Sequence, residues 1–187
     1  MSELIFRYGT MSSGKSLHLL STAHNFEENN IKYQLLKPSI DNRTINTIHS
    51  RIGVEKASTA INPNQNIYEV VDLSVDWLLI DEAQFLSTTQ IEQLASIVDN
   101  NNINVVCYGL RTDYLTRLFE GSKRLFELAD KLEELPSYCN CGNKTSVNAK
   151  IDKNGNIQYS DDGNQIEIGG NERYKSICRH CFFNGNI

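Results

Sequence analysis

The chain has no run of ~18 consecutive apolar residues, the length a bilayer-crossing helix requires, so no membrane-spanning segment is expected. It also has no surplus of positive charge. Across 187 residues, 18 lysines and arginines stand against 23 aspartates and glutamates, giving a formal net charge of −5 and a pI near 5.4. A general nucleic-acid binder carries a global positive field; its absence here weakens any DNA-centred reading, although it leaves room for a local basic patch. The opening residues, MSELIFRYGT, show no basic segment leading into an apolar stretch and a cleavage site, and a cytoplasmic location is the expectation. Repeats and low-complexity linkers are missing as well, and His18, His24 and His49 form no ligand-like pattern.

Cysteine is sparse but clustered. Cys139 and Cys141 lie in YCNCGNK, Cys178 and Cys181 in SICRHC, and Cys107 stands alone in the apolar run INVVCYGL. In a chain expected to be intracellular, two close pairs read as a tetrahedral zinc site more readily than as disulfides, whereas Cys107 reads as core.

Hydrophobic periodicity predicts strands at ELIFRYG, KYQLLK, DWLLIDEAQ and INVVCYG, interleaved with helices. The first helix follows Gly14 and places Leu17, Leu20 and Ala23 on one face. The second, STTQIEQLASIVDNNN, aligns Ile91, Leu94, Ala95 and Val98, with a capping box expected from Thr89 to Glu92; SKRLFELAD gives a third. The polar stretch from Pro38 to about Gln65 has no readable local structure. This alternation implies an α/β fold, a mainly parallel sheet with helices on both faces. After Pro136 the short alternating runs TSVNAKID and NIQYS, joined by KNG, predict a small zinc-stapled β module. The expected division is a nucleotide-binding domain at residues 1–135 and a zinc-binding domain at 136–187.

Between the first strand and the first helix lies GTMSSGKS: Gly9, Thr10, Met11, Ser12, Ser13, Gly14, Lys15 and Ser16. This is the spacing of a phosphate-binding loop. Its glycines turn the backbone so that successive N–H groups face phosphate oxygens, and the helix start adds a positive dipole end. Lys15 would bridge the β and γ phosphates, and Ser16 would offer its hydroxyl to Mg²⁺ carried with ATP. Far along the chain, WLLIDEAQF ends a buried strand in two adjacent carboxylates. Asp81 is placed to orient Mg²⁺, directly or through water, and Glu82 is then free to take a proton from a nucleophile. Water as that nucleophile would make an ATPase, and a hydroxyl would make a small-molecule kinase.

Read in order, GTMSSGKS, SIDNR, LLIDEAQF, YGLRTDY, the cysteine pairs and IEIGGNERYKSICRHC resemble the zinc-containing, cytosolic type of thymidine kinase over nearly the whole chain. The resemblance implies a P-loop core like that of RecA-like ATPases, joined to a zinc domain whose lasso-like loop covers the nucleoside. It makes Glu82 the catalytic base for the thymidine 5′-hydroxyl and gives ATP and Mg²⁺ to Lys15, Ser16 and Asp81. The nucleoside would meet Met11, Asp41, Arg43, Phe85, Leu110, Tyr114 and Phe119, together with the lasso residues Ile168, Gly169, Gly170 and Tyr174. A homotetramer and feedback inhibition by thymidine triphosphate are further implications, with no nucleic-acid or membrane partner.

Some residues depart from the family pattern. The first cysteine pair is C-x-C, tighter than the C-x-x-C of many relatives, and DNR stands where D-T-R is expected. Some relatives use a histidine in the cysteine cluster, which draws attention to His180, but the spacing of Cys178 and Cys181 favours four cysteine ligands. Phe85, Tyr114 and Phe119 also suit plain core aromatics. Two other classes fit part of the pattern: a DNA-associated ATPase, disfavoured by the acidic pI, and a nucleotide-sensing module, which leaves Glu82 without a task.

Overall fold

The structure, a computed structural model, describes residues 1–40, 46–160 and 173–187. Its elements in chain order are β1 (Leu4–Gly9), α1 (Lys15–Glu28), β2 (Tyr33–Pro38), β3 (Thr47–His49), β4 (Glu55–Ala57), β5 (Thr59–Ile61) and β6 (Trp77–Ile80). There follow α2 (Thr88–Asn101), β7 (Asn104–Leu110), α3 (Glu120–Leu128), β8 (Lys131–Glu134), β9 (Val147–Lys150), β10 (Tyr174–Ile177) and α4 (Arg179–Phe183).

Six strands form one sheet in the order β5-β2-β6-β7-β1-β8, every pairing parallel. Strand alternation sorts its side chains onto two faces. Leu4, Phe6, Leu78, Ile80, Val105 and Cys107 face a core completed by Ile91, Leu94 and Val98 of α2 and Leu125 of α3. Ile5, Leu79, Val106 and Tyr108 face the opposite way, onto Leu19, Leu20, Ala23 and Phe26 of α1. The expected α/β class is therefore observed, with helices on both faces. Among the described residues no helix is long and apolar enough to cross a membrane.

Several local expectations are corrected. Leu17 is 38% exposed rather than packed, because Lys15, Leu19, Ala23 and Phe26 form the inward stripe of α1. The capping box of α2 lies two residues earlier than Thr89 and Glu92. Ser87 Oγ accepts from Gln90 N, and Gln90 Oε1 accepts from Ser87 N. Glu120 of α3 takes the Thr88 N–H at 2.7 Å, so a tertiary contact satisfies a further helix-end donor and stabilises the earlier start. The polar stretch after Pro38 contains the β3–β4 hairpin and the edge strand β5. In the cysteine module the expected turn between TSVNAKID and NIQYS is present but its pairing is short, an antiparallel bridge from Ile151 to Ile157 with Gln158 N donating to the Lys150 carbonyl, and β9 takes β10 as its main antiparallel partner. A third apolar cluster, of Val147, Ala149, Ile157, Ile177 and Phe182 with the cysteines, lies behind this pair.

Candidate active site

The phosphate loop leaves the carboxyl end of β1 and the two carboxylates follow β6, with β7 between these strands. Gly9 is required by crowding: a Cβ there would meet Ser13 Oγ at 2.4 Å and the Leu135 carbonyl at 2.6 Å. Gly14 and Ser12 take left-handed backbone angles, at φ 79° and 62°, so the loop wraps tightly before α1 begins. Lys15 is buried and its Nζ donates to the Thr10 carbonyl at 2.7 Å. Burial lowers its pKa; the charges of Glu82 and Asp81 act in the opposite sense, and Arg51 adds to the lowering. Arg51, from the β3–β4 hairpin, donates to Ser12 Oγ and brings a second cation to the loop.

Ser16 Oγ donates to Asp81 Oδ2 at 2.9 Å, joining positions 65 residues apart. Asp81 is 4% exposed, and its Oδ1 is buried without a hydrogen-bond partner. Burial first, and the Glu82 charge second, raise its pKa to about 7. An orphaned buried carboxylate oxygen beside a serine hydroxyl is a donor set that suits Mg²⁺, which prefers oxygen ligands and supplies the missing positive charge.

Glu82 follows at φ 53°, ψ 36°, opening a short 3₁₀ turn, Ala83–Phe85. Gln84 Nε2 donates to Glu82 Oε2, and Gln84 Oε1 accepts from Leu110 N. The DEAQ turn is thereby bound to the end of β7. Phe85 and Phe119 meet edge to face at 5.7 Å. Tyr114 is 2% exposed, with Lys150 Nζ 5.0 Å from its ring centroid, and Tyr174 opens β10 opposite Lys150. Asp41, Arg43, Ile168, Gly169 and Gly170 lie outside the described residues.

The Sγ atoms of Cys139, Cys141, Cys178 and Cys181 all lie within 4.8 Å of one another. Cys141 is favoured as thiolate chiefly by a backbone N–H at Asn143, and Cys178 by that of Cys181, while neighbouring thiols push Cys181 up to about 12. Four sulfur donors so placed suit tetrahedral zinc. His180 is exposed and engages Asn184. Cys107 is fully buried, as expected of core.

Gln84, Arg51, Asn148 and Ser176 were not singled out by sequence. The Gln of DEAQF was the one available signal; the others gain meaning from pairing across the fold, since Asn148 Oδ1 accepts from Met11 N and Ser176 Oγ donates to Met11 O.

The family model of thymidine kinases matches residues 2–182. The chain belongs to the thymidine kinase family. A family member from Listeria innocua is 43% identical over 192 residues, covering 100% of both chains. The thymidine kinase of Mannheimia succiniciproducens is 43% identical over 188 residues, covering 97% of this chain and 95% of its own. That of enterobacteria phage T4 is 43% identical over 185 residues, covering 96% and 94%. These relatives come from bacteria and a bacterial virus at similar identity, and the family model's match takes in both the phosphate loop and the second cysteine pair.

Proposed function

We propose that the chain transfers the γ-phosphate of ATP to the 5′-hydroxyl of thymidine, giving thymidine monophosphate for nucleotide salvage. The observation that most directly supports this reading is the Ser16–Asp81 contact, which brings the phosphate loop and the acidic strand end to one point, with Glu82 next in the chain. Lys15 moves from the Thr10 carbonyl to the phosphates, where its charge stabilises the transferring group. Ser16 and Asp81 would hold Mg²⁺, which would supply positive charge to neutralise the phosphates. Glu82 accepts the proton of the 5′-hydroxyl as the oxygen attacks phosphorus, and Gln84 holds that carboxylate in line.

The nucleoside is taken by Met11, Asp41, Arg43, Phe85, Leu110, Tyr114, Phe119 and Tyr174 under a loop that includes Ile168, Gly169 and Gly170. Backbone groups near glycines approach a base closely, and a wrong base leaves them unpaired. Residues 1–135 act as the nucleotide-binding domain and 136–187 as a zinc domain in which the four cysteines fill every metal position. The protein works in the cytoplasm as a homotetramer, is inhibited by thymidine triphosphate, and engages no nucleic acid. ATP turnover measured with thymidine, with single-stranded DNA and with neither tests the reading: stimulation by thymidine alone is expected, and stimulation by DNA alone overturns it.

A further inference from the structure

The β9–β10 hairpin has two faces. Val147 and Ala149 enter the apolar cluster around the cysteines, so Asn148 and Lys150 lie on the other face. Both are nonetheless buried, at 4% and 6% exposure, because the nucleotide-binding half covers them. Asn148 Oδ1 accepts the Met11 N–H at 2.7 Å and its Nδ2 donates to the Thr112 carbonyl at 3.4 Å. These partners define the orientation of the amide, since a flipped group would set a donor against the Met11 N–H. Ser176, directly across the ladder from Asn148, donates its hydroxyl to the Met11 carbonyl at 2.6 Å. One cross-strand pair therefore holds both backbone groups of a phosphate-loop residue, and beside it Thr10 Oγ1 and Thr145 Oγ1 share a buried hydrogen bond.

Two residues along the same face, roughly 7 Å away at strand rise, the next pair is Lys150 and Tyr174. We propose that Asn148 and Ser176 are a positioning pair that couples nucleoside binding to ATP binding through the backbone of Met11. The proposal rests on the kinase reading, which puts Tyr174 at the nucleoside. A nucleoside that settles the hairpin also settles Met11, and with it the turn from Ser12 to Ser16 that receives the phosphates. Phosphates that order this turn favour the docked hairpin in return, because linkage between two binding sites is reciprocal. Close packing carries the effect, since a hairpin held on both faces shifts as a unit. Neither side chain touches a reacting atom.

The test is calorimetry on the full chain with Mg²⁺ and the β,γ-imido analogue of ATP, with and without saturating thymidine. In the unmodified protein thymidine tightens analogue binding by a factor of about 5 to 150. In Ser176→Ala and Asn148→Ala that factor falls to within about twofold of one, and Ser176→Thr, which keeps the hydroxyl, restores it. Ser176→Ala removes one half-buried hydroxyl and reads the proposal even where Asn148→Ala fails to fold. Asn156→Ala, whose lost side chain bonded Asp152 in the exposed turn after β9, keeps the unmodified factor. The proposal is overturned by no coupling in the unmodified protein, by full coupling in Ser176→Ala, or by equal loss in Asn156→Ala, which would assign the effect to module stability. Failure of the kinase reading has a different mark: the unmodified protein then neither binds nor phosphorylates thymidine, and the coupling proposal falls with it.

Discussion

Gln84 Nε2 donates to Glu82 Oε2 at 2.6 Å from a side chain that is only 2% exposed. The carboxylate is thereby aimed by a group that cannot itself accept a proton from a substrate hydroxyl. Glu82→Gln keeps the shape and removes the proton acceptor, so kcat should fall by about 10² to 10⁴ with nucleotide affinity little changed. Steady-state kinetics with direct binding measurements check this, and near-normal turnover would remove Glu82 from the role of base.

Lys15→Ala should weaken ATP binding and slow transfer together, because the same ammonium serves ground state and transition state. Thymidine binding on its own should persist. Calorimetry showing the reverse, with ATP held and thymidine lost, would mean that the two subsites are interchanged.

Asp81 predicts how the metal-free protein responds to pH. Its pKa rises from 3.8 in the unfolded reference to about 7 in the fold, so between those values the folded state holds the additional proton. The associated stability is complete below the lower value and is lost as pH climbs through the upper one. Denaturant midpoints without Mg²⁺ should therefore decline from about pH 4 to about pH 7, and Asp81→Asn should flatten that decline. An unchanged slope in the variant would place its origin elsewhere.

Metal analysis of the purified chain should find about one zinc per chain. Cys178→Ser or exhaustive chelation should raise the thymidine requirement sharply, since a module this small draws much of its folding free energy from the metal. Cys107→Ser should leave the metal content unchanged, its thiol being buried in the sheet core. Tight thymidine binding by the stripped protein would deny the metal any part in shaping the nucleoside site.

The phosphate loop, the acidic strand end and each cysteine pair were legible because each is a short pattern whose neighbours in sequence are its neighbours in space; the two pairs, 37 residues apart, were joined only by the four ligands that zinc needs. Strands β1, β6 and β7 were likewise legible, since each is a short, largely apolar run bounded by polar residues, a local property of a strand buried on both faces. What escaped is non-local. The start of α2 depends on Glu120, 32 residues from Thr88, and β9 finds its partner beyond the intervening turn, so no nearby spacing announces either. The edge strand β8 reads KLEE, too charged to resemble a buried strand, yet it pairs with β1 in parallel. Asn148 and Ser176 look like ordinary polar residues of a small module until the ladder sets them opposite each other beneath Met11.

Glu82 occupies backbone angles that glycine enters freely and a side chain resists, at φ 53° and ψ 36°. Relief of that conformation is worth about 1–2 kcal/mol, more than the roughly 0.4–1 kcal/mol that added chain freedom takes away when a glycine is introduced. A Glu82→Gly change would recover that strain but leave the buried Gln84 Nε2 without its acceptor, a loss of about 1–3 kcal/mol, so the hydrogen bond from Gln84 offsets the backbone strain and holds the carboxylate in place.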